Sequence, residues 1–229
     1  ATYIGDNRYN DRLPNDLSAE YRAQEAAFDA RWLARVKAID AASLSAEDRI
    51  SLDILRRQLE RSIEAARFPD HLIPINQFYN LAAQLAQLGT GTGAQPFKTV
   101  VDYENWAKRA AQIPALFDQA IANMREGVAK GIVQPDVLMT KTLSQLDALA
   151  VAKPEDSLFW KPVAAFPEGF SDADRTRLTA DYRALITGSV LPASATTTCR
   201  TAARPWVSTP CPKVRPGMPR GSGRSPPPR

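Results

Sequence analysis

One histidine, two cysteines and 11 glycines in 229 residues leave little material for several kinds of chemistry. His71 is the only imidazole, and Cys199 and Cys211 both lie beyond Ser194. A zinc site built from four Cys and His ligands is therefore excluded, and residues 1–193 have no thiol chemistry at all. Long apolar runs are also missing: no stretch approaches the roughly 20 residues that a membrane-spanning helix needs. Residues 1–16 are polar, with turn formers at Gly5, Asp6, Asn7, Pro14 and Asn15, and show no signal-peptide pattern. Acidic residues are absent from the C-terminal end. Ser194–Arg229 holds seven basic residues, and removing them from the total of 29 leaves 22 against 25 acidic ones in Ala1–Ala193. The formal charge of +4 thus belongs to the tail, while the body is mildly acidic, which argues against a nucleic-acid partner. The alternation of apolar and polar residues that marks a strand does not occur anywhere.

What is present is helical. Hydrophobic residues make up 44% of the chain, rich in Ala and Leu. Tyr21, Phe28, Trp32, Val36 and Ile39 recur at helical spacing within Leu17–Ile39 and predict one buried face, with Ser18 or Asp16 able to cap its start. A second helix is expected from Ala46, capped by Ser45 with Asp48 three residues on, and striped by Ile50, Ile54, Leu55, Leu59 and Ile63. The short loop between them predicts an antiparallel hairpin.

Pro69 and Pro74 force residues 68–78 to turn or extend. A short helix over Asn80–Leu88 leads into Gly89–Gly93, which reads as a flexible connector. Val100, Tyr103, Trp106, Ala110, Ile113, Phe117, Ile121 and Met124 mark a long helical stretch over Thr99–Lys130, to be kinked or split at Pro114 and stopped at Gly131. Pro135 suits the start of a helix to Val151. After a loop-rich, aromatic segment, Ser171 should cap a last helix reaching about Val190. The fold class is all-α: antiparallel helical hairpins and a bundle, followed by a Pro/Arg-rich C-terminal tail. That tail, residues 194–229, carries eight prolines and almost no large aliphatic side chains, and its composition predicts disorder.

The strings FPDHLIPINQF (68–78), QPFKTVVDYENWAKR (95–109), QAIANMREGVAKGIVQPDVLMTK (119–141) and LTADYRALITGSVLPA (178–193) make the chain recognisable. It resembles the bacterial domain-of-unknown-function family eight-eight-five, helical proteins placed near the zinc metallopeptidases, and the likeness covers essentially all of Ala1–Ala193. The resemblance implies a secreted, periplasmic or lipid-anchored protein. It also implies a metal site, a His-Glu pair followed by Pro-Gly-His-His, far downstream of this region. None of those positions has a counterpart here, so no metal ligand is assigned in this chain, and zinc is expected only in a full-length parent.

The tail has a concrete reading in a second frame. If codons are shifted by one base, Trp206–Pro219 can decode as G-V-D-A-L-P-E-G-P-A-W-Y-A, similar to the family's own continuation. The expectation is a frameshift near Ser194 that leaves a helical N-terminal region, residues 1–193, and an out-of-frame basic tail, residues 194–229.

Substrate-cleft candidates are His71, Asn76 and Gln77, in the irregular proline-flanked segment. The imidazole could line a cleft and the two amides could present themselves to a peptide backbone. For each, a structural role in anchoring the segment is the plainer reading. Asp102, Glu104 and Arg109 raise an acid/base possibility but fit solvated helix-face charges better. Gly89, Gly91 and Gly93 follow no strand, so a phosphate cradle is a poor fit.

The function expected is that of a truncated helical fragment of a zinc-dependent peptidase-like protein. It has no catalytic residues of its own and shapes the substrate cleft in the parent. Its partners are then the missing C-terminal catalytic region and, in the full-length protein, a peptide substrate. The alternative is a non-enzymatic helical interaction module whose basic tail binds an anionic partner. Truncation predicts that the last helix leaves Leu178, Tyr182, Leu185 and Ile186 partly exposed. The composition break at Ser194 predicts the products of limited trypsin digestion. Cleavage should fall first after Arg200, Arg204 or Arg215 and leave a resistant body ending near Ala193, as mass spectrometry of the products would show.

Overall fold

The computed structural model describes residues 1–75, 81–149 and 151–194. Asn76, Gln77 and the predicted tail from residue 195 lie outside them. Every regular element among the described residues is helical, and none is long and apolar enough to cross a membrane.

Helix ends follow the predicted caps. Helix α1 (Ala19–Lys37) begins at Ser18, whose hydroxyl accepts from the Tyr21 amide at 3.1 Å. Helix α2 (Ala46–Ala65) begins at Ser45, whose hydroxyl accepts from the Asp48 amide at 3.1 Å and donates to its carboxylate at 2.7 Å. Helix α3 (Leu81–Leu88) is followed by a tight turn. The long stretch divides into α4 (Val100–Ala110) and α5 (Ile113–Ala129), with Pro114 in the first turn of α5, where its missing N–H costs nothing. Gly131, at φ 71°, follows the end of α5. Helix α6 (Asp136–Leu149) begins one residue after Pro135. The aromatic segment forms single turns and the short α7 (Lys161–Ala164). Ser171 caps α8 (Asp172–Leu185), accepting from the Asp174 amide at 3.1 Å.

The core lies between α3, α4, α5, α6 and α8, with residues 157–170 packed into it. Its centre is aromatic. Tyr103 meets Phe97, Phe166, Phe170 and Tyr182 at ring-centroid distances of 5.2, 5.2, 5.3 and 5.9 Å, and Trp106 stacks on Phe159 at 6.1 Å. Burying phenols requires acceptors. Tyr103 Oη donates to the Pro162 carbonyl at 2.9 Å, and Tyr182 Oη donates to the Tyr103 carbonyl at 3.0 Å. Burial pushes the Tyr103 hydroxyl up to about 12 and raises Tyr182 further, so both remain neutral donors.

Three expectations need correction. First, α8 is not left bare. Leu178, Tyr182 and Ile186 are each 1% exposed, and Leu185 packs at the edge of the same core. Residues 157–170 and α4 supply the covering surface that truncation was expected to remove. The helix also runs on, through a π-helical turn at Ile186–Val190 and a last turn at residues 191–194, past the predicted end at about Val190. Second, the predicted apolar stripes of α1 and α2 are mostly uncovered. Only Val36 and Leu59 are buried, while Phe28, Ile39, Ile50, Ile54, Leu55 and Ile63 are exposed. The two helices pack on each other, braced by Ser62 to Asp29 at 2.5 Å and Lys37 to Glu60 at 3.3 Å. Neither joins the main core.

Third, Gly89–Gly93 is not a slack connector. Gly89 lies buried beneath the Trp106 and Phe159 rings, where an added Cβ would come within 2.9 Å of Phe159 Cδ1 and closer still to the Trp106 ring. Overpacking of that kind typically costs about 1–3 kcal/mol. Gly89→Ala should therefore lower stability by roughly that amount in urea unfolding, whereas Gly5→Ala meets no neighbouring atom and changes only the strain of its φ of 79°.

Candidate functional site

The carboxylates weighed as acid/base candidates do not converge. Asp102 closes a reciprocal cap with Thr99: the Asp102 amide reaches Thr99 Oγ1 at 3.3 Å, and the Thr99 amide reaches Asp102 Oδ2 at 2.9 Å. Glu104 pairs with Arg177 of α8 at 2.9 Å in an exposed bridge, worth little by itself.

Arg109 is different, and sequence reasoning placed it wrongly on the solvated face. It is 5% exposed and forms no ion pair among the described residues. Its guanidinium donates to Gln95 Oε1 at 2.7 Å, Thr2 Oγ1 at 2.8 Å and the Tyr9 carbonyl at 2.6 Å. Thr2 in turn donates to Asn10 Oδ1 at 2.7 Å. Burial lowers the Arg109 pKa from its ordinary value. Gln112 adds a second tie to the same segment, donating to the Asp11 carbonyl at 2.9 Å and accepting from the Leu13 amide at 3.1 Å. The N-terminal residues are thereby latched to the end of α4. The signal was available: Arg109 follows Trp106 by three, a spacing that keeps two residues on one helical face.

His71 sits half-buried in the one-turn helix Asp70–Leu72, which packs on α5. Gly127 permits that approach, because a Cβ there would lie 2.9 Å from the Leu72 carbonyl oxygen. Burial lowers the imidazole pKa first, Arg22 and Lys130 lower it further, and Glu126 and Asp70 oppose them. Glu126 is itself held by Lys130 at 2.6 Å. No group of three His, Cys, Asp or Glu side chains that could hold a metal occurs among the described residues. The residues of this region do not fit a zinc centre, and no metal-dependent step is derived from them.

One open depression lies on the outer side of α8. Thr176, Thr179, Ala180, Ala184 and Thr187 form its floor, Arg175 and Arg183 flank it, and its volume is about 750 Å³. Both guanidiniums are already engaged. Arg175 binds the carbonyls of Phe170 and Pro167 at 3.1 and 3.2 Å, and Arg183 pairs with Glu155 and covers the Trp160 ring. What is left is a shallow groove of small side chains.

The family model described as a bacterial protein of unknown function (DUF885) matches residues 1–201. The chain belongs to this family. None of the curated proteins matches it. In this DUF885 chain the latch, the His71 seat and the α8 groove all lie within the matched residues.

The His71 environment carries a pH dependence with a defined sign. Its folded pKa lies below the ordinary value of 6.5, so the neutral form is favoured in the fold. That contribution to stability is present above about pH 6.5 and is lost as the pH falls through the lower folded value. Because the chain has one histidine, a single imidazole proton resonance reports it. The NMR titration midpoint should fall below that of a free imidazole, and His71→Gln should flatten the loss of thermal stability in the same pH window.

Proposed function

We propose that this chain is the non-catalytic helical N-terminal region of a zinc-dependent, peptidase-like protein, where it forms part of the wall that controls substrate access. The observation that carries the reading is the groove along α8. A floor of threonine and alanine lets another backbone approach closely, and both flanking arginines are already tied to this chain. Such a surface suits the seating of a further helix better than the binding of a small charged ligand. Family membership supports the reading. The reading takes the catalytic residues to lie outside this chain, since His71 is its single imidazole.

On this reading the body ends near Ala193 and residues 194–229 are an out-of-frame replacement of the natural continuation. The competing reading, a helical module whose basic tail binds an anionic partner, makes the tail the functional part. Restoring the frame at Ser194 in the coding DNA separates them. The restored protein should contain a His-Glu motif, retain zinc through dialysis and cleave peptides, and the 229-residue chain should do neither of the last two. A stop codon soon after Ser194 in the restored frame, or zinc held by the present chain and lost in His71→Ala, would sink the proposal.

A further inference from the structure

Helix α2 has two apolar faces and a partner for only one. Leu59 is buried against α1. Ile50 precedes it by nine residues, which at about 100° per residue places it half a turn away, on the opposite side. Ile54 lies close to Ile50 on that outer side. These two isoleucines are 62% and 53% exposed. A helix apolar on both sides belongs between two layers, and here one layer is missing.

The outer side has a repeating pattern. Glu47, Ile50, Ile54, Arg57 and Arg61 follow one another at spacings of three, four, three and four, which is the seam of a paired helix. Glu47, Arg57 and Arg61 are exposed, and none takes part in an ion pair among the described residues. The order of charges is directional, acidic at the N-terminal end and basic at the C-terminal end. A second α2 laid antiparallel, with Ile50 opposite Ile54, also brings Glu47 opposite Arg57 in the same register. Two-fold symmetry repeats both contacts, so four isoleucines are flanked by two Glu–Arg pairs. A parallel arrangement instead sets Glu47 against Glu47 and Arg57 against Arg57, and like charges reject it.

We propose that α2 is a self-association surface: two copies of this chain pair antiparallel through Ile50 and Ile54, with Glu47 of each facing Arg57 of the other. The seam is complementary to its own copy in charge and in the register of its apolar positions. Residues 195–229 are a poorer occupant, since they bring only Trp206, Val207, Val214 and Met218 as large apolar side chains and no acidic residue to meet Arg57.

Sedimentation equilibrium of the full 229-residue chain tests this. The mass should rise with concentration from the 25.1 kDa monomer and stop at twice that value. Arg57→Glu and, separately, Glu47→Arg each turn two attractive pairs into two repulsive ones and should weaken association roughly tenfold or more. The double swap E47R/R57E restores opposite charges and should recover most of the loss. Ile54→Gln should leave a monomer. All three positions are exposed, so the helical circular dichroism should be unchanged, and R57E avoids the first turn of α2, where a new cation would itself disfavour the helix. A mass that stays monomeric at every concentration, growth beyond a dimer, or a double swap no better than either single one would overturn the proposal.

Discussion

The body of this protein depends on the demand that two buried phenols make for acceptors. Tyr103 and Tyr182 are each 1% exposed, and neither hydroxyl has water to fall back on. Tyr103 answers by reaching the Pro162 carbonyl, which binds the irregular aromatic segment to α4. Tyr182 answers by reaching the backbone of Tyr103 itself, which binds α8 to the same helix. An unsatisfied hydroxyl at either place would cost about 1–3 kcal/mol, and the rings around them make the fit narrow. The elements that close the core are thus oriented by two hydrogen bonds, with Phe97, Phe159, Phe166 and Phe170 filling the space between them.

The N-terminal hairpin obeys a different balance. It buries Val36 and Leu59 and leaves six large apolar side chains of α1, α2 and their connection open. Two helices of this length gain little from propensity alone and rely on packing. Their stability comes from one shared face, good caps and a few exposed ion pairs. The α8 groove is open in another form, with small side chains in place of exposed isoleucines.

Much of the helical layout was legible in the residues. Ser18, Ser45 and Ser171 each stand just before a helix and accept an amide of its first turn, because a cap is a local interaction over three residues. Pro114 divides a helix for an equally local reason. Burial was less legible. The stripe of α2 and the stripe of α8 look alike in sequence, yet Ile54 is open and Ile186 is closed, since periodicity identifies a face without saying what lies opposite. Arg109 shows the same limit from the polar side. Its charge suggested solvent, and three neutral acceptors, two of them from the first nine residues of the chain, hold it in the interior. Of the cleft candidates, His71 lies half-buried in the turn that packs on α5, while Asn76 and Gln77 fall outside the described residues.

The sequence by itself determined the all-helical class, the helix starts, the break at Pro114 and membership in the family, because each depends on residues a few positions apart or on long matching strings. Tertiary structure alone decided which apolar faces are covered, that Gly89 is locked beneath two rings, and that the N-terminal residues are latched to α4 through Arg109. Those outcomes depend on contacts between segments up to about a hundred residues apart, where loop-closure entropy and shape, rather than local pattern, select the partner.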